Sequence, residues 1–183
     1  MPTPVGHVLA GLIVHRGVKK CEKESAALLL VTVFMALLPD IDFLFGFPLG
    51  DPNRYHHQFT HSFVFVIVTG LLSGLLYAKW RRQRTLIYSA IFAYAGISHV
   101  ILDVLALDRR APFGCPLFWP FWQKYLISPI VIFSDVSRVS DSKLFFSSLL
   151  NWHNAATVGL ELLFLVPILA FIIWRKKDKS WLN

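Results

Sequence analysis

Charge is what this 183-residue sequence has least of: 16% of its residues are Asp, Glu, Lys or Arg, against about 25% in an ordinary soluble domain. Acidic residues are scarcest, at 11. With 55% hydrophobic residues and a mean hydropathy of +0.56, the deficit excludes a chain bathed in water on every side. Cysteine is nearly absent. Cys21 and Cys115 form no CxxC pair, which excludes a thiolate metal knuckle. A basic n-region and an A-x-A-like cleavage site are also missing, so no cleaved signal peptide is expected. No internal repeat, low-complexity tract or domain boundary interrupts residues 1–183, which read as one unit.

What the chain does have is long apolar runs. A bilayer core takes about 20 apolar residues of helix, or about 17 with help from flanking side chains. Ser62 to Ala78, Leu86 to Leu102 and Ala155 to Trp174 qualify, and Ser25 to Pro39 reaches across together with Phe43 to Phe47. Val5 to Val18 is short and holds His7, His15 and Arg16, so it reads as a helix packed inside the bundle. The expectation is an all-α polytopic membrane bundle of four to five membrane-associated helices. Sixteen Phe and six Trp suit interfacial belts.

Basic residues set the orientation. The net charge is +7 and the pI is near 9.7, which in a soluble protein would suggest nucleic acid. Here the cations sit in short runs beside the apolar segments, so topology accounts for them and nucleic acid is not expected as a partner. Arg16, Lys19, Lys20 and Lys23; Lys79, Arg81, Arg82 and Arg84; and Arg175, Lys176, Lys177 and Lys179 occupy alternate loops and the C-terminal end. One topology puts all twelve in the cytoplasm. The other six (Arg54, Arg109, Arg110, Lys124, Arg138 and Lys143) then lie outside, with the Asp51–Ser62 loop and the long Leu107–Asn154 segment. Cys21 and Cys115 fall on opposite sides, so no disulfide is expected between them. Within the long segment, Ser142 to Leu150 reads as a short amphipathic helix. Its prolines, with Trp119, Phe121 and Trp122, suit a lid with a lipid-facing entrance.

Against this apolar background stand five polar clusters: His7; Asp40 and Asp42 after Pro39; His56-His57-Gln58-Phe59-Thr60-His61; His99 with Asp103; and His153 with Glu161. Every one of them falls at the same membrane face in a topology fixed by lysine and arginine alone. Ionisable residues in a membrane are expensive and functional by default. His99 and Asp103 are four apart on a helix and share one face, where imidazole and carboxylate can hold one cation. Asp40 and Asp42 straddle one residue, and in an extended turn both point to one side. Imidazole with carboxylate suits zinc, manganese or iron rather than calcium. The candidate ligands outnumber what one tetrahedral ion needs, so one or two divalent ions fit. His153 and Glu161 fit ligation and a buried hydrogen-bonded pair at a bundle joint equally well. His15 lies at the cytoplasmic side and is left out.

These residues resemble the YdjM-like family of inner-membrane-associated metal-dependent hydrolases, some of them described as LexA-binding. The resemblance runs from His7 to about Phe121. It rests on His7 with Gly11, Pro39-Asp40-x-Asp42, His56-x-x-x-Thr60-His61-Ser62, His99-x-x-x-Asp103, and Gly114-Cys-Pro-Leu-Phe-Trp119-Pro120-Phe121. It implies that His7, Asp40, Asp42, His56, His61, His99 and Asp103 form the metal centre. His57 stands where the family usually carries arginine. The HxxxD pairing is also similar to the bacterial zinc-dependent phospholipase C group, in which such an aspartate bridges two zinc ions. The function expected is hydrolysis of a phosphoester or related ester of a lipid-like substrate at an outward-facing centre in the inner membrane. Asp103 is the expected bridging ligand, and Asp40 or Asp42 the general base. The alternative is a non-catalytic membrane metal-binding or partner-binding protein. No feature of the sequence identifies a protein partner.

Overall fold

The computed structural model describes residues 1–18, 25–82 and 85–178. Cys21, Lys19, Lys20, Lys23, Arg84 and Lys179, used above for the disulfide and orientation arguments, lie outside the described residues.

Helix starts follow capping chemistry. Helix α1 (Pro4–Gly17) begins with Thr3, whose hydroxyl accepts from the Val5 N–H, and with Pro4 pre-set for the first turn. Helix α2 (Ala26–Leu37) is capped by Ser25 through the Leu28 N–H. Pro39 then tightens the chain into a 3-10 turn, Leu38–Asp42, followed by α3 (Phe43–Gly46). Two further 3-10 turns, Pro52–Tyr55 and Phe59–His61, lead to α4 (Phe63–Arg81), capped by Ser62 through the Phe65 N–H. Helix α5 (Thr85–Val104) returns antiparallel. A long irregular segment with one short helix, α6 (Phe145–Ser148), precedes α7 (Trp152–Asp178).

Four stretches are long and apolar enough to cross a membrane: Ala26–Leu49, Phe63–Arg81, Thr85–Val104 and Trp152–Lys176. Among the described residues no strand forms, only two isolated bridges. The architecture is the expected all-α polytopic bundle. Helix α1, at about 1.5 Å per residue, is too short to span alone. It packs against α2, α5 and α7, with Ala10 and Gly11 buried at its contacts.

Helices α4 and α5 approach most closely at two glycines. A Cβ on Gly70 would sit 2.5 Å from the Ala93 backbone, and one on Gly74 2.3 Å from that of Ser89. Small residues four apart let backbones meet where lipid supplies no hydrophobic drive for helix association. Around this hairpin Met35, Ala36, Tyr77, Ala78, Phe92 and Ala95 pack into one core. The hairpin fixes the ends of α4 and α5 that carry the polar residues.

The amphipathic helix expected over Ser142 to Leu150 is shortened to α6. Asn151 ends it: its Nδ2 donates to the Ser148 carbonyl, while its Oδ1 accepts from the Asn154 N–H and so caps α7. One side chain serves two helix ends, and the chain must turn there to let it.

Candidate metal centre

His7, Asp40, Asp42, His56, His61, His99 and Asp103 come together at one end of the bundle, brought there from four different helix ends and the 3-10 turns between them. His7, His61 and His99 are wholly buried, and Asp42 and Asp103 nearly so. His7 stacks on His99 with ring centroids 3.7 Å apart and its Nε2 3.6 Å from Asp103 Oδ1. Short α1 therefore begins at the same end at which α2 and α5 finish.

The rings are oriented by partners behind them. His99 Nδ1 donates to the Ala36 carbonyl over 2.7 Å. His56 Nδ1 is 3.0 Å from Asp42 Oδ1. His61 Nδ1 is 3.2 Å from Asp42 Oδ2, an oxygen that also accepts from the Thr60 hydroxyl. With each Nδ1–H so engaged, each Nε2 presents a lone pair to the interior, the arrangement in which a carboxylate or carbonyl fixes a ligating imidazole. His61 Nε2 and His99 Nε2 face one another at 3.3 Å. Asp103 Oδ2 lies 3.0 Å from His99 Nε2 and 3.3 Å from His61 Nε2. Asp40 Oδ1 lies 3.6 Å from each of these two nitrogens.

His7, His56 Nε2, Asp40 Oδ1 and both oxygens of Asp103 are buried without a hydrogen-bond partner. Burying such groups unpaired is costly, and a cation among them removes the cost. The residues thus fit a metal: His7, Asp40 and His99 form one group of compatible ligand atoms, and His61, His99 and Asp103 form another. Burial pushes the His56 pKa well below its ordinary value, so it stays neutral and able to ligate. Burial acts likewise on His61, but the carboxylates facing it, Asp42 foremost, outweigh that and raise its pKa well above the usual value. The cluster attracts positive charge.

Asp40 and Asp42 lie on a 3-10 turn begun at Pro39 and not on an extended one, yet both reach His56, with Asp40 Oδ1 3.9 Å and Asp42 Oδ1 3.0 Å from its Nδ1. Asp40 faces the convergent nitrogens, whereas Asp42 stands behind His56 and His61. Asp42 also offers an atom to a group with Asp40 and His56, but both its oxygens are already engaged.

Four residues join the centre that the sequence reading did not include. His57 reaches it through a left-handed backbone (φ 61°), with Nε2 3.9 Å from Asp103 Oδ2 and Nδ1 3.3 Å from Asp108 Oδ2. Burial lowers its pKa. Burial favours a protonated Asp108, but His57 and the N–H groups of Gly114 and Arg110 outweigh this and hold its pKa at about 2. Cys115 comes within range of His57 and Asp103; burial raises its pKa and keeps it a thiol. Arg138 lies over the Phe43 ring beside His56, its Nε donating to Asn53 Oδ1 over 2.6 Å. The adjacent histidine pair was the one sequence signal for His57; Asp108 and Arg138 sit in a stretch with no periodicity to flag them.

His153 and Glu161 stay outside. His153 Nε2 donates to the Asp135 carbonyl over 2.9 Å. Glu161 accepts from the backbone N–H and hydroxyl of Thr3, tying α7 to the start of α1. Each is a structural contact, and they do not pair with one another. Trp119 packs on Phe59, and Phe121 is 87% exposed. The apolar groove that reaches Asp40 is lined instead by residues of α2, α3 and α6.

The sequence matches the family described as YdjM inner membrane protein over residues 1–179. It is similar to Inner membrane protein YbcI of Escherichia coli (strain K12), with 28% identity over 142 residues covering 72% of this chain and 80% of that relative. No solved structure matches. The buried histidine–aspartate cluster, which could hold a metal ion, thus sits in a multi-pass inner-membrane protein, and the chain belongs to the YdjM inner membrane protein family.

Proposed function

We propose that this protein is a metal-dependent hydrolase that cleaves an ester or phosphoester of a lipid-like substrate. The observation that carries the reading is the set of unpartnered lone pairs on His7, His56, Asp40 and Asp103, buried and facing the Nε2 atoms of His61 and His99. His7, His56, His61, His99 and Asp103 hold one or two divalent ions, with His57 as a further donor. Zinc suits this donor set, with manganese or iron as alternatives. When bound, such an ion acidifies a water toward pH 7 and polarises the scissile group.

The chain's own residues do the rest. Asp103, with neither oxygen hydrogen-bonded, Oδ1 near His7 and Oδ2 near His61 and His99, is placed to be shared between two sets of histidines. Asp42 holds His56 and His61 in the tautomer that leaves Nε2 free. Asp40 is the most open carboxylate of the set, with 15% of its side chain exposed, and takes the proton of the attacking water as general base. Access separates this reading from a closed, non-catalytic metal site. A polar cavity reaches His56 and His57, and the apolar groove reaches Asp40. The basic residues Arg16, Lys79, Arg81, Arg175 and Lys176 mark the opposite end of the helices, so the centre faces the extracytoplasmic side.

The test combines metal analysis of the detergent-purified protein with a hydrolysis screen over lipid, nucleotide and simple esters. Metal-dependent turnover is expected. Asp103→Asn is expected to lose metal and at least roughly 10³-fold in rate together while staying folded. A fully loaded protein inert on every substrate would sink the enzyme reading in favour of metal or partner binding. For orientation, Lys143→Cys in a Cys21→Ser background should react with an impermeant thiol reagent without inner-membrane lysis. Labelling only after lysis would put the centre in the cytoplasm.

A further inference from the structure

Two hollows meet at the centre, and their chemistry is opposite. One, of about 350 Å³, is lined by Arg54, Arg109, Arg110 and Arg138 and opens onto His56 and His57. At ~30 Å³ per water it has room for roughly ten waters, or for a phosphate group with its hydration. The other, of about 440 Å³, is apolar. It runs between α2–α3 and α6 past Leu37, Leu44, Phe47, Phe146 and Leu149, and ends at Asp40. Both hollows touch Arg138.

Arg138 is itself anomalous. The residue is 8% exposed, yet its Nε donates to the neutral Asn53 Oδ1, and its guanidinium lies over the Phe43 ring. It forms no ion pair with a carboxylate among the described residues. A buried cation with no carboxylate in contact is expensive; Asp40, Asp103 and Asp108 attract it only at longer range. The acidic side chains of the same cavity are committed elsewhere: Asp51 to the Asn53 N–H, Asp108 to His57 and the Gly114 N–H, and Asp135 to His153. Arg110 donates to the Arg138 carbonyl and so braces the loop that presents the guanidinium. An arginine fork matches phosphate oxygens.

We propose that the two hollows form one binding site for a lipid phosphate. Arg138 grips the phosphate, Arg54 and Arg109 line the mouth, and the hydrocarbon tail lies in the groove between α2–α3 and α6. Such a ligand sets its ester bond beside Asp40, His56 and His57. The proposal deepens the hydrolase reading and rests on it for the ligand's being a substrate; binding itself does not depend on turnover.

The test is native mass spectrometry of the full chain, metal-loaded and after chelation, with phosphatidic acid, diacylglycerol and inorganic phosphate as probes. Phosphatidic acid is expected to bind at least roughly tenfold more tightly than diacylglycerol, the worth of one charge-assisted contact. Arg138→Gln should lose that preference; should this variant not fold, Arg54→Gln/Arg109→Gln, at exposed positions, should weaken phosphatidic acid by a measurable part of it. Leu149→Trp fills the groove and should weaken phosphatidic acid while leaving inorganic phosphate unaffected. Equal binding of diacylglycerol and phosphatidic acid, or unchanged phosphatidic acid binding in the arginine variants, overturns the proposal. If Leu149→Trp has no effect on phosphatidic acid, the tail is not in the groove and the lipid source is overturned. Failure of the hydrolase reading looks different: phosphatidic acid bound with the expected preference, but no turnover of any substrate with any metal.

Discussion

At the end of the bundle where α2 begins and α4 finishes, basic side chains such as Arg16, Lys79, Arg81, Arg175 and Lys176 gather at the helix ends, and two polar contacts among the described residues tie those ends together. Ser25 and Tyr77 are 3.1 Å apart, and Lys176 donates to the Val18 carbonyl at the close of α1. Between these contacts the core is Met35, Ala36, Ala78, Phe92 and Ala95. At the other end, five histidines and three aspartates cluster, and several of their ring nitrogens and carboxylate oxygens have no hydrogen-bond partner. Among the described residues, no buried side-chain nitrogen or oxygen at the first end lacks a hydrogen-bond partner. The other is a polar cluster that the chain leaves incomplete. A half-satisfied buried network costs more than an apolar core, and a metal ion, which these groups could hold, would complete it.

The largest effect should come from breaking the rigid end. Gly74→Leu forces a side chain into the Ser89 backbone, which a Cβ alone would approach to 2.3 Å. Backbone cannot yield as a flexible side chain can, so a loss of about 3 kcal/mol is expected, the upper part of the range for overpacking. Thermal unfolding in detergent measures it. The α4–α5 register also sets His61 against His99, so metal content per folded molecule should fall as well. A destabilised protein with undiminished metal content would show that the two ends are mechanically independent.

The polar end should respond to changes behind the ligands. Asp42→Asn keeps size and one acceptor but removes the charge that holds both His56 and His61. Loss of an orienting partner of this type costs about 10–100-fold in metal affinity. Competition with a chelator of known affinity measures the change, and the unfolding midpoint of the metal-free protein should barely move. A collapse of the fold would make Asp42 a scaffold residue; unchanged affinity would deny it the orienting role.

Much of this was legible from sequence because each cluster stands alone against an apolar background. His99 and Asp103 could be paired from helical spacing, and the Lys and Arg runs put His7, Asp40 and His61 at one end before any coordinates. What was not legible depends on long-range or backbone facts. The turn after Pro39 is 3-10 and not extended, so a two-residue spacing alone could not report that Asp40 meets His61 at Nε2 and Asp42 meets it at Nδ1. His57 enters through a positive φ, which the residue type allows but sequence spacing does not reveal. Asp108 and Arg138 arrive from an irregular segment whose path is set by contacts such as Asn53 to Val139 and Ser140. The Leu107–Asn154 segment does supply one wall of the groove to Asp40, through Val136, Arg138, Phe145, Phe146 and Leu149, but Trp119, Phe121 and Trp122 are not among the residues that line it.

The smallest expected effect concerns the polar pair that sequence could not assign. Glu161 is wholly buried on α7 and accepts two hydrogen bonds from Thr3, the residue that caps α1. Its carboxylate replaces the water that a free helix start would use. A Cβ on Gly6 would come within 2.9 Å of its Cδ, so the close fit depends on a glycine at that turn. Glu161→Gln keeps the shape and one carbonyl acceptor but turns the second acceptor into a donor facing the Thr3 hydroxyl or N–H. The hydroxyl can rotate to accept, whereas the N–H cannot, so the rearrangement should cost about 1 kcal/mol. Thermal unfolding should register that loss. Metal content should not change, because His7 lies a full turn further along α1 and is held by its stack on His99. A variant that loses metal without losing stability would place Glu161 in the centre after all and dissolve the distinction between the end that is satisfied and the end that is not.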